Sequence, residues 1–273
     1  MNKLVFRFDI DTHKCIRDGV PNLVKLSNIH HVPFTFFLNL GKAVSVKETV
    51  KNSMNKKRGE AIERMSAREK LGNRDYLYAA LINPNLFHYR KQISGLLKSN
   101  CETGIHGGKN HALWGEYADT WNAEQVENEI GWSISMLQKI EPFYQPAGFA
   151  SPEWRTPKEL EKVLLKYHFK YYSDRRCSRD DMCIVDESGI IPNVGVNMTG
   201  EPGGVAFFEN CRVKGMQTAR IISTVINHAK EHPVTILYDH PYYAGTKELD
   251  TIESMIQEAK TENIEIVTLA SII

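Results

Sequence analysis

Residues 4–11 read LVFRFDID, an apolar run that ends in the acidic pair Asp9 and Asp11. Such a short apolar run, closed by polar residues, is typical of a strand buried in a parallel sheet. Apolar residues at helical spacing follow at 23–29, and PFTFFL at 33–38 predicts a second strand. Strand, helix and strand predict a βαβ unit whose two carboxylates lie at the carboxyl end of its first strand, where chemistry usually occurs.

The same alternation continues to the end of the chain. Further helices are predicted at residues 123–139, 157–167, 216–230 and 248–260. Further strands are predicted at residues 169–172, 234–238 and 264–269. Strands interleaved with helices predict an α/β fold with a parallel sheet, and a single (β/α) barrel over residues 1–273 is economical at this length.

Composition restricts the class of protein. Of 273 residues, 42% are hydrophobic and 25% are charged, which excludes collagen-like, disordered and coiled-coil proteins. The 34 Lys and Arg against 33 Asp and Glu give a net charge of +1, so no overall field favours a nucleic-acid partner. Because there is no long apolar run or signal peptide, we expect a cytoplasmic protein. The five cysteines are scattered without a CxxC pair, so we expect reduced, structural thiols.

Two stretches interrupt the alternation. Residues 42–74 hold ten Lys and Arg against four Glu, a local net charge of +6, and predict a basic helical insertion at about residues 42–85. This insertion is either a solvated surface or a surface that meets anionic lipid head groups or a phosphate-bearing substrate. Residues 180–210 are rich in Gly and Pro and predict a loop or hairpin that forms a lip over a site.

Two clusters suggest a metal site. Asp9 and Asp11 repel each other at a strand end and need a cation, a shared proton or a substrate partner, although Asp11 could instead cap a turn. His106 and His111 lie on either side of a glycine pair, and this spacing can place both imidazoles on one cation. Two histidines and a distant carboxylate fit Zn²⁺ with positions left open for water and substrate. The alternative is one surface histidine and one core histidine.

Two more strand ends carry polar residues. Arg155 precedes a predicted helix and Asp174 follows a predicted strand, so the two could form a buried pair at the carboxyl end of the sheet. His240 follows the apolar run ILY at 236–238. Polar residues at four strand ends predict one shared site.

In this order, the motifs resemble the polysaccharide deacetylase (NodB-homology, carbohydrate esterase family 4) family over essentially the full chain. Residues 8–45, the WR motif at 154–155 and YYSDRR at 171–176 look like the subgroup that deformylates undecaprenyl-phosphate 4-formamido-arabinose. HPYYAG at 240–245 looks equally like other branches. The resemblance implies a distorted (β/α)7 TIM-like barrel, the NodB-homology fold. It also implies metal-dependent removal of a formyl or acetyl group from the nitrogen of an amino sugar, either free or attached to a polyprenyl phosphate at the inner membrane face.

The resemblance also implies which residues hold the metal. Asp11 would be the carboxylate ligand and His106 the first histidine ligand of a divalent cation, Zn²⁺ with Co²⁺, Ni²⁺, Mn²⁺ or Fe²⁺ as alternatives. The family usually spaces its histidines as His-x-x-x-His, and that spacing ends here at Asn110, one residue before His111. Either a small loop shift lets His111 bind, or Asn110 is a weak ligand and the site is impaired.

The remaining roles implied by the resemblance are catalytic. Asp9 would be the general base and His240 the general acid. Arg155 would orient Asp9, and Asp174 would hold Arg155. The family usually has an Arg-x-Pro-Tyr motif, which is Arg-Thr-Pro-Lys here. Lys158 therefore replaces the tyrosine that would form an aromatic wall of the pocket.

Two rival functions remain open. In a phosphatase of the haloacid dehalogenase type, Asp9 would attack phosphorus and Asp11 would protonate the leaving group, with Asp180 and Asp181 as the acidic pair for Mg²⁺. That hypothesis leaves the three histidines unexplained. Alternatively, the protein is a non-enzymatic family member whose ion site has decayed, as Asn110 in the place of a histidine indicates. Such a protein would only bind glycans or lipid-linked sugars. For the deacylase, the partners expected are an N-acylated amino sugar or a polyprenyl-phosphate-linked sugar, with peripheral membrane contact through the basic 42–74 segment.

Overall fold

A curled parallel sheet organises the chain in the computed structural model, which describes residues 1–45, 67–182, 184–201 and 204–273. Around the sheet, β1, β2, β3, β4, β5, β7 and β8 follow one another in chain order, and β6 and β9 are short additions that pair with β7 and β1. This is the expected distorted (β/α)7 barrel. The strands are β1 Lys3–Ile10, β2 Thr35–Leu38, β3 Glu102–His106, β4 Gly148–Ala150, β5 Tyr171–Arg176, β6 Val185–Asp186, β7 Asn193–Val196, β8 Val234–Asp239 and β9 Glu265–Ile266.

The barrel closes through a narrow seam between β7 and β8. Met198, just after β7, receives a hydrogen bond from the Tyr238 amide and donates its own amide to the Ile236 carbonyl, both at 3.0 Å. The Asn197 side chain completes the seam by bonding backbone groups of Val234 and Ile236 at 2.9 and 2.8 Å. Because a side chain replaces part of the backbone ladder here, the barrel is distorted at this point.

Helices surround the sheet. They are α1 Val20–His30, α2 Ala67–Leu71, α3 Asn73–Leu81, α4 Arg90–Leu97, α5 His111–Tyr117, α6 Ala123–Gln138, α7 Leu160–Lys166, α8 Phe207–Val213, α9 Thr218–Glu231, α10 Pro241–Lys247 and α11 Leu249–Thr261. The bounds of α6, α9 and α11 lie within two residues of the predicted helices. Within the described ranges, each helix is too short or too polar to cross a bilayer.

Strand β1 separates two parts of the core. Leu4, Phe6 and Phe8 belong to the larger apolar cluster between sheet and helices, whereas Val5 belongs to the smaller cluster inside the barrel. Successive side chains of a strand point to opposite faces, so the odd-numbered residues of β1 share the inner face. This alternation directs the buried Arg7 and Asp9 into the barrel.

Two glycines bring the segment after β1 against the helix after β8. Residues Cys15–Gly19 form a single π-helical turn that leads into α1. A Cβ atom on Gly19 would overlap the carbonyl oxygen of Pro241, and one on Gly245 would overlap that of Gly19. The backbones of the two segments therefore touch directly.

Not every predicted element has the expected form. Of the predicted insertion at 42–85, residues 46–66 lie outside the described residues, and the described remainder contains α2 and α3. The stretch 180–210 contains the antiparallel hairpin of β6 and β7, but β7 is also a barrel strand that the sequence did not predict. The strand predicted at 264–269 is reduced to β9, because a 3₁₀ turn begins at Leu269.

The cysteines lie apart in the fold, and the expectation of reduced, structural thiols stays a prediction. Cys15, Cys101, Cys177 and Cys211 form no disulfide among the described residues, and Cys183 lies outside them. Burial raises the pKa of Cys15 and of Cys211 to about 11. Because the thiolate is the reactive form, these two thiols are poor nucleophiles near neutral pH.

Candidate active site

Three ligand atoms from distant parts of the chain converge at the carboxyl end of the barrel. Asp11 follows β1, His106 ends β3 and His111 begins α5. The Oδ1 atom of Asp11 lies 3.2 Å from Nε2 of His106 and 3.4 Å from Nε2 of His111. All three ligand atoms lie within 4.8 Å of one another. One carboxylate and two imidazoles are a donor set that suits Zn²⁺ and leaves coordination positions open.

The two histidines are held in orientations that suit a metal ligand. The Nδ1 atom of His106 lies 2.9 Å from the Ala150 carbonyl, which can only accept, so Nδ1 donates there and the ring presents Nε2 to Asp11. Both rings are buried, 5.1 Å apart between centroids. Burial opposes a charge on His111, but Asp11 raises the pKa of that imidazole above its usual value. The Asp11 carboxylate therefore provides a negative charge that can attract a cation to the cluster.

Asn110 is engaged elsewhere. Its side-chain oxygen accepts a hydrogen bond from the Leu113 amide at 3.1 Å, which caps the start of α5. Its side-chain nitrogen donates to the Val44 carbonyl at 3.2 Å. Of the two residues that the sequence left open as the second ligand, the structure therefore directs His111 toward Asp11 and uses Asn110 as a helix cap.

Asp9 lies beside this cluster and is bound by a buried arginine. Its Oδ2 atom is 3.9 Å from Nε2 of His106. The Arg7 guanidinium donates to both carboxylate oxygens of Asp9, at 3.1 and 2.9 Å. Arg7 also donates to the carbonyl and the hydroxyl of Ser173, at 2.7 and 2.9 Å. These bonds fix the plane of the Asp9 carboxylate.

Three aromatic rings surround the Arg7 guanidinium. Its central carbon lies 4.8 Å from the ring centre of Phe37, 4.7 Å from Trp154 and 5.3 Å from Tyr238. Burial opposes the charge, but Asp9 raises the pKa of Arg7 above its usual value. The guanidinium is therefore a fixed positive charge, stabilised by the rings as well as by the carboxylate.

The predicted contacts of Arg155 with Asp9 and with Asp174 are wrong. Arg155 is 45% exposed and forms an ion pair with Asp119. Asp174 is buried and accepts hydrogen bonds from the Ser151 amide and the Thr156 hydroxyl, at 2.6 and 2.8 Å.

The backbone before Arg155 explains the difference. Glu153 and Trp154 both have positive φ, 54° and 58°, in the left-handed region that residues other than glycine rarely adopt. This reversal directs Trp154 onto the Arg7 guanidinium and leaves Arg155 on the surface. Arg7, from two positions before Asp9 on the same strand, makes the contact expected of Arg155.

His240 faces the opposite side of the Asp11 carboxylate. Its Nε2 atom lies 3.1 Å from Oδ2 of Asp11 and 3.1 Å from the Tyr238 hydroxyl. Its Nδ1 atom lies 3.7 Å from Oε1 of Glu209. Burial opposes a charge on His240, but Asp11 and Glu209 raise its pKa well above the usual value. A protonated imidazole is thus available next to the metal-ligand cluster.

Two buried carboxylates behind His240 were missed by the sequence analysis. Asp239 accepts hydrogen bonds from the amides of Phe208 and His240, both at 2.7 Å. Burial and the nearby Glu209 raise the pKa of Asp239 to about 7. Glu209 lies in α8, within FFENC at 207–211, and a lone acidic residue in such an apolar run was the available signal.

A cavity of about 150 Å³ opens above these groups. Asp9, Asp11, both histidine ligands and His240 line it, together with Glu153 and Trp154. Gly204, Val205 and Ala206 also line it, so part of the 180–210 stretch borders the cavity, and its role as a lip stays a prediction. The indole of Trp154 donates to the Gly204 carbonyl at 3.0 Å and links these two groups of lining residues.

Comparisons with known proteins agree with the fold described above. No family model matches the sequence. The chain is 20% identical, over 100% of its length and 86% of the relative, to a protein described as a probable 4-deoxy-4-formamido-L-arabinose-phosphoundecaprenol deformylase from Shewanella sediminis. A candidate polysaccharide deacetylase from Mycobacterium smegmatis has a similar fold, with a TM-score of 0.64 at 15% identity over 99% of this chain and 88% of that one. A pseudoenzyme of carbohydrate esterase family 4 from Bacillus anthracis also has a similar fold, with a TM-score of 0.54 at 12% identity over 99% of this chain and 64% of that one.

Proposed function

Because the chain resembles the polysaccharide deacetylase family in sequence and in fold, we propose that it is a metal-dependent hydrolase that removes an N-formyl or N-acetyl group from an amino sugar. The convergence of Asp11, His106 and His111 beside Asp9, in a single cavity, is the observation that carries the proposal. A carboxylate outside the ligand cluster is what an amide hydrolase needs as a base.

In this proposal, Asp11, His106 and His111 hold a divalent cation, Zn²⁺ in preference to Co²⁺, Ni²⁺, Mn²⁺ or Fe²⁺. Their fit to the ion rests on the donor set and on the Ala150 carbonyl, which turns the His106 lone pair toward Asp11. When bound, such an ion lowers the pKa of a coordinated water and polarises an acyl oxygen.

Asp9 is the proposed general base. Arg7 holds both carboxylate oxygens, and each oxygen keeps a second lone pair that can accept a proton from the attacking water. The orientation is fixed before substrate arrives, so little reorganisation is needed when the proton moves. Arg7 thereby takes the positioning role that the sequence analysis gave to Arg155.

His240 is the proposed general acid. Water adds to the acyl carbon, the carbon–nitrogen bond breaks, and the departing amine takes a proton from the imidazolium. Glu209, 3.7 Å from the other ring nitrogen, favours the charged form that this step requires. The products are formate or acetate and the free amino sugar.

The finer identity of the substrate is also a proposal. The printed name of the Shewanella relative specifies a formamido sugar on phosphoundecaprenol, and the +6 charge of residues 42–74 suits anionic lipids. We propose a polyprenyl-phosphate-linked sugar, reached by a cytoplasmic protein in peripheral contact with the membrane. We also propose that residues 1–273 act as one domain, because β8 and β9 near the end of the chain both pair with β1.

The rival functions receive less support. Asp181 accepts a hydrogen bond from the Ser178 amide in a turn near the surface, beside the exposed Asp180, so this acidic pair is not placed for a phosphatase metal. The Bacillus anthracis protein shows that this fold also occurs in a pseudoenzyme. The position of His111 beside Asp11 favours an active site over a decayed one.

Metal removal and restoration test the proposal. Protein stripped with EDTA should lose the release of formate or acetate from N-acylated amino sugars, and Zn²⁺ or Co²⁺ should restore it. Asp11→Asn should lose both metal and activity, whereas the matched variant Asp180→Asn should keep both. Turnover of an aryl phosphate restored by Mg²⁺ would support the phosphatase instead. A metal-free protein whose sugar binding survives His106→Ala would support a binding module.

A further inference from the structure

An apolar groove lies along α3, outside the cavity described above. We call it the α3 groove; it encloses about 440 Å³ and is lined mainly by Leu77, Tyr78, Leu81, Ile82 and Tyr89. Leu77, Leu81 and Ile82 are 54%, 78% and 63% exposed. Contiguous exposed apolar side chains of this size are unfavourable in water and mark binding surfaces.

The α3 groove is joined to the candidate active site by a short segment of chain. The Tyr78 ring packs edge-on against His13, with ring centres 4.9 Å apart, and His13 lies two residues after the proposed ligand Asp11. Asp75 lies 3.2 Å from Nε2 of His13 and accepts two hydrogen bonds from Arg17, both at 2.9 Å. Helix α3, which lines the groove, is therefore packed against the segment that carries Asp11.

Two arginines line the same groove. Arg17 is neutralised by Asp18 and Asp75. Arg74 is exposed and has no ion-pair partner among the described residues. A guanidinium at the edge of an apolar groove provides the paired donors that a phosphate oxygen accepts.

We propose that the α3 groove binds the apolar chain of a polyprenyl-phosphate-linked sugar, with Arg74 on its phosphate. This inference rests on the proposed deacylase function and adds the site that holds the lipid. The groove pairs an exposed guanidinium with exposed apolar side chains, and a prenyl phosphate pairs an anionic group with an apolar chain. A groove enclosing about 440 Å³ has room for part of one such chain.

Binding of farnesyl phosphate, measured by calorimetry on the metal-loaded protein below the micelle concentration, tests the proposal without any turnover. Wild type should bind, and Leu77→Ser combined with Leu81→Ser should weaken binding about tenfold or more. Arg74→Gln should weaken farnesyl phosphate several-fold and leave farnesol unaffected. Leu165→Ser, which alters a 51% exposed leucine on α7, is the matched control and should bind as wild type does.

Thermal unfolding and metal content show whether the double variant is folded. If it is not, Leu81→Ser alone serves, because this side chain is 78% exposed and its loss removes little packing. Folded variants that bind farnesyl phosphate as tightly as wild type overturn the proposal.

The remaining outcomes separate this inference from the proposed function. A wild type that deacylates a lipid-free N-formyl amino sugar but does not bind farnesyl phosphate overturns the groove assignment and leaves the function intact. Binding without any deacylation supports a prenyl-phosphate site and contradicts the enzymatic function. If the variants instead lose only binding to phosphatidylglycerol vesicles, or only self-association in sedimentation, the groove contacts a membrane or a second copy and the proposal is wrong.

Discussion

Replacing Arg7 with Met removes a buried guanidinium while keeping much of the apolar volume between Phe37, Trp154 and Tyr238. Arg7 is 1% exposed and Asp9 is 2% exposed, so the variant leaves a carboxylate buried without its cation. Removing one partner of a buried ion pair costs about 3–5 kcal/mol of unfolding free energy. Turnover should fall by about 10² to 10⁴, the usual contribution of a general base, because the Asp9 carboxylate is no longer held in place.

Arg155→Met provides the matched comparison. Arg155 is 45% exposed and paired with an exposed Asp119, so its loss should cost less than about 1 kcal/mol. Urea unfolding and steady-state deacylation of both variants measure the difference. Arg7→Lys keeps the positive charge but lacks the paired donors. Compared with Arg7→Met, it should therefore restore the free energy of unfolding more completely than it restores kcat. If Arg155→Met impairs kcat more than Arg7→Met does, the assignment of Arg7 is wrong.

Four further substitutions test the site. Asp9→Asn should lower kcat about 10² to 10⁴ and keep the metal, whereas an equal loss of metal by elemental analysis would make Asp9 a ligand. His111→Ala should lose metal, while Asn110→Ala should keep it and lose about 1 kcal/mol of stability with its helix cap; the reverse pattern would make Asn110 the ligand. Because the pKa of Asp239 is raised from 3.8 to about 7, its contribution to stability is complete below about pH 4 and is lost as pH rises through 7. As pH rises from about 5 to 8, the Tm of Asp239→Asn should therefore rise relative to the Tm of wild type. A difference in Tm that does not depend on pH would contradict the buried proton on Asp239.

The sequence predicted the parts of the fold that depend on local pattern. Apolar runs located β1, β2 and β8, and helical periodicity located α6, α9 and α11. Strand β7 was missed because its four residues lie within the Gly- and Pro-rich stretch 180–210, next to the Asn197 seam, a contact distant in sequence. Local pattern cannot show such a contact.

The site shows the same division. Asp11 and the two histidines were found because strand ends collect at one edge of a parallel sheet. Arg7 was overlooked within an apolar strand, although its position two residues before Asp9 already placed both side chains on one face. Arg155 was misplaced because the positive φ angles of Glu153 and Trp154 reverse the chain there. Neither residue type predicts such a reversal.

The contact between Gly19 and the α10 backbone leaves no room for a side chain at Gly19 or at Gly245. A methyl group at either glycine would push apart the backbone segments that follow Asp11 and His240. Val205 and Ala206 line the cavity itself, so exchanging them for residues of other sizes would change the room for an acyl group. Adaptation to new substrates therefore falls to residues of the cavity lining, while the two glycines keep their close contact.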